Sequence, residues 1–425
     1  MKKHDSRTLA IDGGRPVRTR PLPPFYPGAS VMGAAEKKAV LAVIEAKSPF
    51  RYYGPHLLGK VQRFEREFAR FAGVRFALGV TSGTAALRVA LEALGVGPGD
   101  EVIVPAVTFV ASANAVICGR AVPVFADVDD TMNLDPDDFE RKITRRTKAV
   151  MPVAILGATP RMDRIRAIAR KHGIPVLEDV AQSCGASFKG RLLGAFGSIS
   201  SFSLQLNKII TAGEGGVVIT NDPVLYERAV RYHDQGQVRK PHAELLGRLR
   251  VAPFAGENYR MSEIGGAIAS AQLAKLPSIL RRMRAARNKI EAAVMKLSHL
   301  TLRPSHDHDG DAGSSAAFYL ENPADAAWFV EALNAENISA FQLYGGTAAY
   351  MNPQIHSKNV ASRVKCPFDC PHYKVKVDYH EGLCPKAESL MRRSVCFGIP
   401  PVLSATDIGD MTKGIRKVYS ALYES

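Results

Sequence analysis

The sequence predicts an α/β fold in two parts: a large domain with a mostly parallel sheet flanked by helices at 1–279, and a smaller α/β domain at 280–425. Between about residues 75 and 220, short apolar runs alternate with amphipathic stretches of helical length. This alternation is typical of parallel sheets covered on both faces. A long helical pattern over 262–298 then separates the two parts, and a chain of 425 residues exceeds one typical domain.

The elements of the large domain follow in order. Strand-like runs are expected at 76–81, 101–105, 121–129, 149–156 and 174–179, with helical segments between them. Because such sheets bind ligands at the carboxyl ends of their strands, site residues are expected there.

The smaller domain is expected to begin after a hinge. Proline removes a backbone hydrogen bond, so Pro277 is expected to interrupt the helix over 262–298. Beyond about residue 320, a strand, a helix and a second strand are expected up to Gln342.

Composition excludes several classes of function. A hydrophobic content of 46% with 23% charged residues is typical of a soluble globular protein. The apolar run at 102–118 is slightly short for a membrane span and contains polar residues. The basic start has no apolar segment typical of a secretory signal, so a cytoplasmic protein without a membrane partner is expected.

The net charge of +15 is dispersed along the chain. Its densest cluster, at 281–289, occupies the polar side of a helical pattern and has no interleaved aromatic residues. Nucleic acid is therefore not the expected partner, and an anionic small substrate explains a basic surface equally well.

Two groups of residues raise the question of a metal. Cysteines and histidines between Cys366 and Cys384 lack the paired spacing of structural zinc sites. The run from His306 to Asp309 lies in a Gly/Ser-rich stretch typical of a solvated turn. No metal is expected, and the six cysteines fit a reducing compartment.

The stretch TSGTAAL places Ser82, Gly83 and Thr84 at the start of a helix directly after a strand. Free backbone N–H groups at this point suit a phosphate, although an ordinary helix N-cap has the same residues. In PAVTFVASANAV, Phe109 follows a strand end, where its ring could cover a flat heterocycle or belong to the core.

Acidic residues close the strand in VLEDVAQSCGAS, with Gln182 three residues after Asp179. A buried carboxylate needs a partner, and a pyridinium nitrogen is one that fits. A helix N-cap is the alternative reading of Asp179.

Lys208 lies between the strand-like SFSLQL and a glycine-rich turn with Gly213, Gly215 and Gly216. A lysine held in such a place loses its charge readily and can form a Schiff base with an aldehyde. Ser203 could add a hydroxyl group to a phosphate site. Pyridoxal phosphate requires four groups together: a phosphate site, an aromatic side chain to cover its ring, a carboxylate and an amine.

These motifs, with FAGENYRMSEI at 254–264, resemble those of the DegT/DnrJ/StrS-type aminotransferases, which act on keto sugars and cyclitols. The resemblance covers nearly the whole chain and implies the fold type I architecture of pyridoxal phosphate enzymes. It also implies that Lys208 forms the Schiff base and moves the proton, and that Asp179 pairs with the ring nitrogen. The remaining implied cofactor contacts are Phe109 on the ring, Gln182 near the ring hydroxyl, and Gly83, Thr84 and Ser203 at the phosphate.

The same resemblance implies that Asn258 reaches the phosphate of a neighbouring subunit, and hence a homodimer with shared active sites. The expected amino donor is glutamate or glutamine, which converts the cofactor to pyridoxamine phosphate before the acceptor binds.

The acceptor stays open between a nucleotide sugar, a sugar acid and a cyclitol. Gln205 occupies a position where many sugar-nucleotide members have histidine, and in this it is similar to the cyclitol and aminohydroxybenzoate branches. The stretch FRYYG at 50–54 is instead similar to transaminases that aminate octulosonate sugars. Substrate contacts are expected from loop residues, namely Arg51, Tyr52, His233 and Tyr344.

Two rival functions share this fold. A sugar dehydratase would have histidine in place of Lys208, and a non-catalytic regulatory relative would have no need for Lys208 and Asp179 together. Both residues are present, which favours the aminotransferase.

Overall fold

The structure is a computed structural model that describes residues 8–361 and 363–424. The strands are β1 Phe76–Val80, β2 Glu101–Pro105, β3 Val122–Ala126, β4 Thr147–Val150, β5 Leu177–Asp179, β6 Ser187–Phe188, β7 Arg191–Leu192, β8 Ile199–Ser203, β9 Gly216–Thr220, β10 Thr301–Leu302, β11 Ser315–Tyr319 and β12 Ser394–Gly398. The helices are α1 Ala34–Glu45, α2 Lys60–Ala72, α3 Gly83–Ala93, α4 Val110–Cys118, α5 Pro136–Arg141, α6 Met162–Lys171, α7 Pro223–His233, α8 Lys240–Leu246, α9 Glu263–Val294, α10 Pro323–Ala335, α11 Pro353–His356, α12 Pro385–Arg393 and α13 Ala405–Tyr423.

The large sheet has the strand order β3-β2-β4-β5-β8-β9-β1. Its three-stranded and four-stranded parts are joined by parallel bridges from Val150 to Val176 and from Val153 to Asp179. β9 runs antiparallel to both β8 and β1, and the other pairings are parallel. The predicted mostly parallel sheet is confirmed.

Both faces of this sheet are buried. Along β2, Val102 and Val104 belong to one hydrophobic cluster with α3, α4 and α7, whereas Ile103 belongs to the other cluster with α2, α6 and α9. Successive side chains of a strand point to opposite faces, so each cluster covers one face. This explains why the strands read as continuous apolar runs.

The interruption expected at Pro277 is wrong, because α9 runs through this residue as one helix of 32 residues. Leu276 and Ile279 on either side of the proline are buried in the hydrophobic cluster that also contains Phe318 and Val395. The burial of these flanking side chains outweighs the lost backbone hydrogen bond. The division between residues 279 and 280 stays a prediction, and it falls inside α9.

The C-terminal part contains an antiparallel sheet of order β10-β11-β12. The strand expected after α10 is reduced to one bridge between Phe341 and Cys396. The chain turns at once through Tyr344, Gly345 and Gly346, whose positive φ angles end the extended pairing. In the described ranges, no helix has both the length and the apolar character needed to cross a membrane.

Candidate active site

A cavity of about 610 Å³ opens where the carboxyl ends of β5 and β8 meet the start of α3 and the C-terminal part of the chain. The sequence-predicted site residues that line it are Gly83, Thr84, Phe109, Asp179, Gln182, Ser203, Lys208 and Tyr344. Residues that are distant in sequence therefore meet at one place, as expected for strand ends of such a sheet.

The start of α3 forms one wall of the cavity. Ser82 caps the helix, because its Oγ accepts a hydrogen bond of 3.0 Å from the backbone N–H of Ala85. A Cβ atom on Gly83 would lie 2.7 Å from the Cβ of Ser203, so only glycine allows the end of β8 to approach this closely. The helix terminus and the Ser203 hydroxyl thus face the same space, which suits an anion such as phosphate.

Asp179 ends β5 and is buried. Its Oδ1 accepts a hydrogen bond of 3.1 Å from the backbone N–H of Ala181, and its Oδ2 accepts one of 2.8 Å from the Ser112 hydroxyl. Burial raises the pKa of Asp179, whereas these hydrogen bonds and the charge of Lys208 lower it. Of the two interpretations of Asp179, a partner for a cation is favoured over a helix N-cap. The Asp179 side chain caps no helix, and it forms no ion pair with another described residue.

Glu178, the preceding acid, has a different role. Its carboxylate points away from the cavity lining and accepts hydrogen bonds from the backbone N–H groups of Gly194, Phe196 and Gly197. It therefore holds a loop in place, a role that sequence alone could not assign.

Lys208 lies in the turn after β8. Its backbone is fixed at both ends, since its N–H donates to Gln205 O and its carbonyl accepts from the N–H of Gly28 in the N-terminal segment. Burial lowers the pKa of the Lys208 amine, and the charges of Asp179 and Glu214 raise it. Within the described residues its Nζ has no hydrogen bond or ion pair, so the amine is available to a molecule in the cavity.

Phe109 precedes α4 and is 55% exposed, which excludes the reading of this residue as part of the core. Its ring centroid is 6.4 Å from that of Tyr344 across the cavity. Gln182 lies beside them, where its Oε1 accepts from the N–H of Leu156 at 3.2 Å and its Nε2 donates to the Tyr344 hydroxyl at 2.9 Å.

Some lining residues were not foreseen. Ser112 orients Asp179, Leu156 orients Gln182, and Phe25 brings the N-terminal segment to the cavity. Ser112 lies in the stretch PAVTFVASANAV, but the roles of all three residues depend on contacts between segments far apart in sequence.

Three predicted substrate residues lie elsewhere in this chain. Arg51 is buried in an ion pair of 2.7 Å with Glu65, and the Tyr52 hydroxyl lies 3.2 Å from Nε2 of the buried His233. Asn258 is exposed and does not line the cavity. Their roles in binding stay predictions.

The metal candidates do not form a site in the part of the chain that the structure describes, where no three acidic, cysteine or histidine side chains are grouped to hold an ion. Cys366 and Cys370 have their sulfur atoms 2.6 Å apart, and His306 pairs with Asp129.

The side chains of the cavity fit pyridoxal phosphate on chemical grounds. The helix start with Ser203 suits a phosphate, and Lys208 presents an amine whose pKa burial lowers. Asp179 is a buried carboxylate that has no directly bonded cation among the residues described in the structure. When bound, pyridoxal phosphate supplies an electron sink for a substrate carbon.

Comparisons with known proteins agree with this chemistry. The model of the DegT/DnrJ/EryC1/StrS aminotransferase family matches residues 32–416. The chain is 35% identical to an L-glutamine:2-deoxy-scyllo-inosose aminotransferase of Streptomyces kanamyceticus over 97% of both chains. It is 42% identical to the GDP-perosamine synthase of Escherichia coli O157:H7 over 53% of this chain and 60% of the relative.

Among solved structures, that of 3-amino-5-hydroxybenzoic acid synthase superposes with a TM-score of 0.78 at 28% identity, covering 95% of this chain and all of the other. The implied fold type I architecture is confirmed by this likeness. The chain therefore belongs to the DegT/DnrJ/EryC1/StrS aminotransferase family, and it is a pyridoxal phosphate-dependent aminotransferase of fold type I.

Proposed function

We propose that this enzyme transfers the amino group of L-glutamine, or of L-glutamate, to a keto cyclitol. The observation that carries the proposal is the meeting of Lys208 and Asp179 in one cavity of suitable size for a six-membered ring. Relatives named L-glutamine:2-deoxy-scyllo-inosose aminotransferase, from several Streptomyces species among others, support the choice of donor and acceptor.

The charge of the cavity favours a cyclitol over a nucleotide sugar. Lys208 is the one basic side chain among the described residues that line it. A diphosphate is commonly held by arginine or lysine side chains, whereas a neutral polyol needs hydroxyl and amide partners. Ser314, Ser315, Gln182 and Tyr344 provide such partners. A nucleotide-linked keto sugar is the second candidate, because a GDP-perosamine synthase is also a relative.

The residues of this chain have separate tasks in the reaction. Asp179 would hold the ring nitrogen of the bound cofactor through its carboxylate, whose charged form is favoured by the hydrogen bonds from Ala181 and Ser112. Nζ of Lys208, whose pKa burial lowers, would accept a proton from a substrate carbon once the cofactor is bound. Phe109 and the walls of the cavity restrict water and orient a flat ring.

We also propose a cytoplasmic homodimer in which Asn258 contributes to the partner's site. Its exposure outside the cavity of its own chain supports this assignment. Sedimentation of the holoenzyme is expected to give a dimer, and Asn258→Ala is expected to weaken cofactor retention. A monomer that is fully active would contradict the proposal.

The acceptor is tested by loading the enzyme with L-glutamine and offering 2-deoxy-scyllo-inosose, a nucleotide-linked keto sugar and an aldehydic sugar acid. Mass spectrometry of the products is expected to show the aminated cyclitol, formed with the highest kcat/KM. Preference for the nucleotide sugar would establish the second candidate. A dehydrated product without nitrogen would indicate a dehydratase. Conversion of no acceptor, together with no conversion of the cofactor by L-glutamine, would indicate a regulatory relative.

A further inference from the structure

Tyr344 occupies an unusual backbone position at the cavity. It has φ 49° and ψ 33°, in the left-handed region that non-glycine residues avoid. Leu156, which faces it across Gln182, has φ 50° and ψ 36°. Strained residues of this kind are concentrated at functional sites, where the surrounding structure enforces them.

The hydrogen bonds around Gln182 have only one consistent direction. The backbone N–H of Leu156 must donate, so the Gln182 oxygen faces it and the Gln182 amide nitrogen faces the Tyr344 hydroxyl. The amide nitrogen is a donor only, and therefore the Tyr344 oxygen accepts this bond. The carbonyl of Leu156 is fixed in turn by the Ser315 hydroxyl at 2.6 Å.

The Tyr344 proton is consequently left without an acceptor among the described residues, although the side chain lines the cavity. Burial raises the pKa of Tyr344, and the charge of Asp179 raises it further, so the hydroxyl keeps its proton at neutral pH. Because the half-buried Tyr344 side chain lines the cavity, an oxygen atom of a molecule bound there is the expected acceptor of this proton.

The character of the Tyr344 donor indicates which kind of oxygen fits. The Tyr344 hydroxyl is a single neutral donor, and no arginine or lysine is hydrogen-bonded to it among the described residues. A carboxylate of the amino donor is commonly bound by arginine or lysine, whereas a neutral hydroxyl or keto oxygen of a polyol matches a neutral donor. The aromatic ring of Phe109, whose centroid is 6.4 Å from that of Tyr344, also lines the cavity and can cover an apolar ring face.

We infer that Tyr344 determines acceptor specificity by donating a hydrogen bond to an uncharged oxygen of the cyclitol, with Gln182 as the residue that positions its hydroxyl. This inference rests on the proposed function, since it concerns the acceptor and not the donor. It separates the two half-reactions, because only one of them uses the Tyr344 proton.

The test compares Tyr344→Phe with wild-type holoenzyme. scyllo-Inositol, a polyol that cannot react, serves as the binding probe, and its dissociation constant is expected to rise about tenfold in Tyr344→Phe. The KM for 2-deoxy-scyllo-inosose is expected to rise by a similar factor. The rate at which L-glutamine converts the cofactor, followed by absorbance, is expected to stay within about twofold of wild type.

Tyr379→Phe is the matched control, because it also removes a hydroxyl group from a buried tyrosine. The Tyr379 hydroxyl donates to the carbonyl of Pro123 at 2.7 Å and lies outside the cavity lining. This variant is expected to lose some stability and to keep both half-reactions and the affinity for scyllo-inositol.

The outcomes separate the two claims. Unchanged affinity for scyllo-inositol in Tyr344→Phe, or an equal slowing of both half-reactions, would overturn the role of Tyr344 while the proposed function stands. A wild-type enzyme that converts its cofactor with L-glutamine but aminates no cyclitol would overturn the proposed function and the inference with it.

Discussion

Replacing Asp179 by asparagine removes a charge and little else. The new side chain can keep the bond from the Ala181 N–H through its oxygen, and its NH₂ group would face Ser112. The Ser112 hydroxyl can then accept this bond and donate to Thr108, whose Oγ1 is 2.7 Å away. We therefore expect the fold to persist.

The expected loss of turnover follows from the hydrogen bond between residue 179 and the ring nitrogen of the bound cofactor, because Asp179→Asn makes this bond neutral on the protein side. A hydrogen bond to a charged group contributes about 1.5–3 kcal/mol, and each 1.36 kcal/mol is a factor of ten. Asp179→Asn should thus reduce the single-turnover rate with L-glutamine about 10- to 150-fold. Ser112→Ala is the control, because it keeps the carboxylate and removes one neutral donor to it, and a loss below about tenfold is expected.

The assay is stopped-flow absorbance of the bound cofactor after mixing with L-glutamine, with cofactor content measured separately for each variant. If Asp179→Asn with full cofactor content turns over within about threefold of wild type, another group holds the ring nitrogen, and the role given to Asp179 is refuted.

Two further predictions concern stability. Burial lowers the pKa of His233 in the folded protein to about 3, whereas histidine in the unfolded chain is protonated below about pH 6.5. The stability contributed by neutral His233 is therefore complete above about pH 6.5 and is lost as the pH falls toward 3. In urea unfolding, the free energy of unfolding of the wild type should decline from pH 7 to pH 5, and this decline should be smaller in His233→Gln by up to about 1.4 kcal/mol per pH unit. Identical pH profiles of the two proteins would contradict this. Pro277→Ala restores a helical N–H in α9 and should raise the free energy of unfolding by up to about 3 kcal/mol without slowing turnover; slower turnover would show that Pro277 acts as a hinge after all.

The sheet and the core of the site could be predicted from sequence for a simple physical reason. Strand positions and burial follow from local periodicity, and the carboxyl ends of neighbouring parallel strands meet at the same edge of a sheet. Asp179 at the end of β5 and Lys208 after β8 are therefore close, although 29 residues separate them along the chain.

Features that depend on distant contacts could not be predicted. Glu178 and Asp179 are adjacent acids, and only the loop at 194–197 decides that the first is structural. The propensity of Pro277 to break a helix is local, whereas the burial of Leu276 and Ile279 that overrides it depends on segments far away in sequence. The strand expected up to Gln342 is reduced to one bridge, and the left-handed turn at Tyr344 follows it directly. No local pattern distinguishes this turn from an ordinary loop.

The central claim is that the Lys208 amine binds pyridoxal phosphate covalently in the resting enzyme. Reduction of the holoenzyme with borohydride, followed by proteolysis and mass spectrometry, tests it most directly. We expect the cofactor mass on the peptide containing Lys208 and its loss in Lys208→Ala. A label on another lysine, or an unlabelled wild-type protein, would contradict the account.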